Sequence, residues 1–216
     1  MKKLVLFAIL LVALTVSACA PAAPTPAPVQ PPKVTLSQVQ VASYFAAPWA
    51  GWPGAVPTPT PPPAGTPAAQ YVPFPGSISV PLIVAFIWEV ENPNDVPVTV
   101  EGMKYTVEFE AAPSKPGEYF ALSTAIVNEK MSVPAKTKNQ VRVTTVLDSA
   151  VVPGNLGVTS GQRMGALGLT GAKLVQDWWA NIGDTGKFGI KATGGTADVT
   201  INGKTQVVTF DGKFPK

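Results

Sequence analysis

Glu108 and Glu110 stand two residues apart, as do Asn92 and Asn94. On a strand that spacing puts both side chains on one face, and two carboxylates side by side are the usual furniture of acid and base catalysis. The neighbours argue for a plainer use. Lys104 shares the face of Glu108 and Glu110, as expected of a solvated sheet surface. Asn92-Pro93-Asn94 reads as a turn whose side-chain amides satisfy backbone groups. Asp148, Asp177, Asp184 and Asp198 are scattered, without the spacing of a metal loop. Gly194-Gly195 and the glycines from Gly183 to Gly189 lack the strand-then-helix setting of a phosphate loop. The chain has no histidine, so it lacks the commonest general base and metal ligand, and a serine triad of the usual kind is excluded. No catalytic, cofactor-binding or metal-binding residue is assigned, and the chain is not expected to be an enzyme.

Cys19, the single cysteine, does sit in a setting that implies chemistry. Met1-Lys2-Lys3 is a positive start, Leu4 to Val16 is almost wholly apolar, and Ser17-Ala18 precede the cysteine. This is the layout of an export signal over residues 1–18. Its apolar run would make a helix of about 20 Å, short of the roughly 30 Å hydrocarbon core. Val16-Ser17-Ala18-Cys19 resembles the bacterial lipobox. The resemblance implies diacylglycerol in thioether linkage to Cys19, cleavage before it, and acylation of the new amino group. A plain secretory signal with an incidental cysteine, or an uncleaved anchor, are the other readings. Lipidation would consume a thiol that has no partner in the chain for a disulfide, and two or more acyl chains hold a protein stably where one does not. The chain is therefore expected outside the cytoplasm, anchored by lipid to the cell membrane, the outer one if the organism has two, since Ala20 rather than Asp follows the cysteine.

Removing Lys2 and Lys3 with the signal leaves 14 basic and 13 acidic side chains, a net charge of +1. A nucleic-acid or anionic-membrane surface role has no electrostatic footprint here. Residues 19–32 are Pro/Ala-rich and favour extended polyproline II, a tether. Residues 44–76 form a second low-complexity stretch holding the aromatic group Tyr44, Phe45, Trp49 and Trp52. We read it as a long loop inserted within the domain, because the strand before it belongs with the strands after it. Loops of this length are usually functional or disordered. Its four aromatics are the candidate contacts for a protein partner or a membrane interface, or they fold back onto the domain.

The elements between are mostly strands. Lys33 to Ala42 alternates, slips by one residue and resumes, which suggests a bulge. Ser77 to Glu91 is apolar on both faces, as a central strand would be. Val96 to Glu110 places Met103, Tyr105, Val107 and Phe109 on one side, with a phase break at Gly102. Phe120 to Val127 and Asn139 to Leu147 follow. Asp148 to Gly171 is Gly-rich and reads as irregular. Lys173 to Ile182 is the one helix expected, with Leu174, Trp178 and Ile182 at i, i+4 and i+8, and with Trp178-Trp179 half core and half rim. Lys187 to Lys191, Thr196 to Ile201 and Lys204 to Phe210 close the chain, the last two joined by Asn202-Gly203, a hairpin dipeptide. The fold class is all-β: an immunoglobulin- or fibronectin-III-like antiparallel β-sandwich over residues 33–214 with one short helix.

The run Ile83-Val-Ala-Phe-Ile-Trp-Glu-Val-Glu-Asn-Pro-Asn94, followed by Pro97-Val-Thr-Val-Glu-Gly-Met-Lys-Tyr-Thr-Val-Glu-Phe109, resembles the water-stress and hypersensitive-response domain of the group-2 late-embryogenesis-abundant family. Val133-Pro134-Ala135 and the closing Val208-Thr-Phe-Asp-Gly-Lys-Phe214 are similar too. The likeness spans residues 33–43 and 77–214 and departs in the inserted loop and the Gly-rich stretch. It implies the sandwich fold and a non-catalytic role in desiccation and stress tolerance, stabilising client proteins. A binding or scaffold subunit of an extracytoplasmic membrane complex is the alternative.

Overall fold

The computed structural model describes residues 28–44, 80–112, 114–183 and 187–215. Among these residues eight strands and two helices run in the order β1 (Lys33–Tyr44), β2 (Pro81–Glu91), β3 (Val98–Glu110), β4 (Tyr119–Val127), β5 (Met131–Val133), β6 (Lys138–Asp148), α1 (Val152–Ala166), α2 (Gly171–Asn181), β7 (Ile190–Ile201) and β8 (Lys204–Phe214). All strand pairings are antiparallel. One sheet has the order β1-β2-β6; the other runs β4-β3-β7-β8, with β5 also on β3. The chain is an antiparallel β-sandwich.

Alternation of apolar side chains builds the core between the sheets. Leu82, Val84, Phe86, Trp88 and Val90 of β2 are wholly buried and face Tyr105, Val107 and Phe109 of β3. Both phase breaks in the sequence are bulges. The β1–β2 register shifts between Leu36 and Gln38, and the β3–β7 register between Val100 and Gly102. β2 is central, with β1 on one side and β6 on the other. β8 packs closely on β1 across the sheets. A Cβ on Gly212 would lie 2.6 Å from Leu36 Cβ and 3.0 Å from the Trp88 ring, so only glycine fits there.

Four expectations need correction. The Gly-rich stretch is not irregular: it forms α1, so the described residues hold two helices where one was expected. Val152, Leu156 and Met164 share one face of α1 and are buried. That packing outweighs four glycines, each worth about 1 kcal/mol against a helix. The segments before Asn202 form one strand, β7, with a register shift between Ala192 and Gly195 where Gly194 takes a φ of 60°. β5 is an added short strand. Trp178 and Trp179 are both fully buried and neither forms a rim.

Strand direction gives the sandwich two distinct poles. Lys33 lies opposite Glu91, and Glu91 opposite Lys138; the turn after β2, the hairpin at Asn202-Gly203 and the β5–β6 loop gather at this end. At the other, Tyr44 lies opposite Leu82 and Leu82 opposite Leu147. The ends of β3 and β6, the start of β7 and both helices gather there. The length of β1 separates the poles by about 35 Å at 3.3 Å per residue.

Candidate functional site

At the helical pole α2 starts at Thr170, whose hydroxyl accepts from Lys173 N at 3.2 Å, an N-cap. Leu174, Val175, Trp178 and Trp179 face inward. Trp178 Nε1 donates to the carbonyl of Glu110 at 2.7 Å, and Trp179 Nε1 to that of Val80 at 3.0 Å. The two indoles tie the helix to the end of β3 and the approach to β2, one ring standing edge-on to Phe109.

Glu110 is more than a solvated face residue. Its two carboxylate oxygens accept from Gly117 N and Gly189 N, each at 2.7 Å. The side chain therefore joins the β3–β4 turn to the start of β7. Glu108 accepts from Thr193 Oγ1 at 2.9 Å. Nearby, Lys191 Nζ sits 3.6 Å above the centre of the Tyr119 ring, a cation–π contact. Partial burial raises the Tyr119 phenol above its usual value, with the charges of Glu110 and then Glu108 adding to it. Arg163 of α1 donates to the Tyr119 carbonyl at 3.0 Å, pairs with Glu118 and lies 4.7 Å from the centre of the Phe120 ring. These contacts are structural fasteners: each charged group has a partner in the protein.

Mid-sandwich, Trp88 Nε1, Tyr105 Oη and Thr145 Oγ1 are buried without a well-aligned hydrogen bond. Burial drives the Tyr105 phenol far above its normal value; the nearby Trp88 and Thr145 side chains pull it back only in part. Phe86, Trp88 and Phe210 pack edge-on around that ring.

At the opposite pole the Asn-Pro-Asn turn is built inward. Asn92 is 1% and Asn94 6% exposed. Asn92 Nδ2 donates to the carbonyls of Val96, Val133 and Pro134 at 2.9, 3.1 and 3.0 Å. Asn92 Oδ1 accepts from both N and Nδ2 of Asn94 at 3.0 Å. Asn94 then reaches out of the turn: its Oδ1 accepts from Gln30 N and its Nδ2 donates to the Gln30 carbonyl, both at 2.8 Å.

Of the residues singled out by sequence, Cys19, Phe45, Trp49 and Trp52 lie outside the described residues. Tyr44 ends β1, its backbone opposite Leu82. The structure brings Glu108 and Glu110 together with Tyr119 and Lys191, but leaves Asn92 and Asn94 at the other pole. Sequence reasoning missed Gln30 and Arg163. The spacing of Val152, Leu156 and Met164 could have revealed the helix that carries Arg163. Among the described residues no three acidic or sulfur side chains gather as a metal site, and no helix is long and apolar enough to cross a membrane.

No family model and no curated protein matches the chain. Among solved structures it is similar to one described as the crystal structure of a protein from Archaeoglobus fulgidus, at 15% identity over 62% of this chain and 84% of that one, with a TM-score of 0.32. A likeness of that size carries no argument about what either molecule does.

Proposed function

We propose that this chain is an exported lipoprotein, held by lipid on Cys19 at the outer side of a cell membrane, whose β-sandwich is a non-catalytic module that stabilises proteins there under water stress. The observation that carries the reading is the use of the Asn-Pro-Asn turn. The residues that bear the resemblance spend their polar atoms on the turn, the β5–β6 loop and the stretch leading into β1. They serve as fold-determining groups, which accords with the non-catalytic role that the resemblance implies. The near-neutral mature charge of +1 gives no electrostatic reason to expect nucleic acid or an anionic surface as the partner, and leaves the lipid as the membrane attachment. The test is to embed the full chain in vesicles, dry them with a labile client enzyme, and compare activity after rehydration with an equal mass of albumin. Greater recovery supports the reading; recovery no better than albumin's overturns it.

A scaffold role in a membrane complex is favoured by one feature. The segment 45–79 leaves from Tyr44 and returns at Val80, both at the helical pole, away from the stretch leading to Cys19. A partner held through Phe45, Trp49 and Trp52 would attach through a segment rooted at that pole. Crosslinking in the native membrane should then recover a stoichiometric partner that is lost when Trp49 and Trp52 become Ala. If the same yield survives both substitutions, the aromatic segment is not the contact.

A further inference from the structure

Gln30 precedes β1 and belongs by composition to the Pro/Ala tether, yet both its backbone polar groups are bound by one side chain. Asn94 Oδ1 takes the Gln30 N–H and Asn94 Nδ2 serves the Gln30 carbonyl, 2.8 Å each. A primary amide matched to a peptide group in this way reproduces a strand pairing with a side chain. Asn94 is itself held. Asn92 Oδ1 accepts from its N and Nδ2, its carbonyl accepts from Lys136 N at 3.0 Å, and Asn92 N donates to the Thr137 carbonyl at 2.9 Å. Pro32 is buried, although Gln30 and Pro31 on its N-terminal side are exposed.

We propose that the Asn92-Pro93-Asn94 turn is a clasp for the tether, fixing where it leaves the sandwich and so which pole faces the anchor. An exposed glutamine in a proline-rich stretch has no packing reason to be ordered. Two hydrogen bonds to a preorganised buried amide supply one, because the ordering of Asn94 has already been met by folding. The eleven residues from Cys19 to Val29 would span about 34 Å if fully extended at 3.1 Å per residue. The clasp also holds the departing chain at the pole with the Asn202-Gly203 hairpin. The helices, and both ends of the segment 45–79, lie at the far pole. The orientation part rests on the lipid-anchor reading above; the clasp does not.

The experiment uses the full chain in two measurements. In the first, hydrogen exchange of the Gln30 amide is followed in detergent micelles. It should be slowed at least about tenfold against an unstructured chain, and Asn94→Ala should abolish the slowing while β2 and β6 amides stay protected. Exchange at the unstructured rate in the parent chain, or protection that survives Asn94→Ala, overturns the clasp. Should Asn94→Ala fail to fold, Gln30→Pro deletes the donated N–H outside the sandwich. A nitroxide at Val29→Cys should then become mobile relative to the same label on the parent, and unchanged mobility counts against the proposal. In the second, a fluorophore at Lys204→Cys or at Val158→Cys is quenched by a headgroup acceptor in vesicles. Transfer should be at least about twofold greater from position 204, since the two sites lie at opposite poles. Equal or reversed transfer overturns the orientation. A chain that does not associate with vesicles sinks the lipid-anchor reading instead, and the exchange measurement still decides the clasp.

Discussion

Trp179 donates its indole N–H to the carbonyl of Val80 across 3.0 Å, fastening α2 to the point where the chain re-enters the sheet as β2. The same carbonyl also accepts from Ser149 N at 3.3 Å. Trp179→Phe should therefore forfeit one hydrogen bond without stranding its acceptor, a loss of about 1 kcal/mol. Trp179→Ala removes a wholly buried ring and should lower stability by about 3–5 kcal/mol. Urea unfolding of both variants, followed by tryptophan fluorescence, checks the ratio. Equal losses would mean that the hydrogen bond, and not the packing, dominates.

Asn92→Ala should be among the most damaging polar truncations in the protein. It takes partners from the Val96, Val133 and Pro134 carbonyls and from Asn94, so a loss of at least about 3 kcal/mol is expected from stranded buried groups. Asn92→Asp should be no better, because a carboxylate has no N–H to offer the three carbonyls that share the two amide hydrogens of Asn92. Thermal unfolding of the two variants beside the parent is the measurement.

Tyr105 makes the stability fall in alkali. Its phenol is raised by burial in the folded state, while in the unfolded chain it titrates near 10.0. The folded state thus holds the proton more tightly. The contribution is complete below about pH 10 and is lost as pH climbs above that value. Tyr105→Phe should be close to neutral in stability at pH 7, since the hydroxyl makes no aligned bond. Its stability should also decline less than the parent's between pH 9 and pH 11, on the order of those values. Chemical denaturation at both pH values gives the comparison; parallel declines would contradict it.

Gly212→Ala tests the seam between the sheets. The new methyl would meet Leu36 Cβ and the Trp88 ring, neither of which is a flexible chain end. Overpacking of this kind should lower stability by about 1–3 kcal/mol. A parallel Gly203→Ala, where a Cβ meets nothing but φ is +75°, separates steric crowding from backbone strain. The two losses should respond differently to Leu36→Ala, which relieves only the first.

Much of the sandwich was legible because its signals are local. Period-two alternation in β2 and β3, the phase breaks at Gln38 and Gly102 and the Asn202-Gly203 turn all depend on neighbours in sequence. Asn202 and Gly203 do take the positive φ values, 50° and 75°, that such a turn needs. What was missed depends on distant partners. α1 is a poor helix by propensity, stabilised by what Leu156 and Met164 bury against. Trp178-Trp179 looked half exposed because only the fold places an acceptor before each indole. Glu110 looked like a surface carboxylate because Gly117 and Gly189 are brought to it from two other segments. The Asn-Pro-Asn turn was recognised as structural from its own residues, but the grip of Asn94 on Gln30, 64 positions away, has no trace in local pattern.

The proposed placement at a membrane rests on Cys19, and intact-mass analysis of the protein isolated from its native cells tests it most directly. The account predicts a chain that begins at Cys19 and is heavier than residues 19–216 by a diacylglycerol and an amide-linked acyl chain. A mass that retains residues 1–18, or a Cys19 that still reacts as a free thiol, would contradict it.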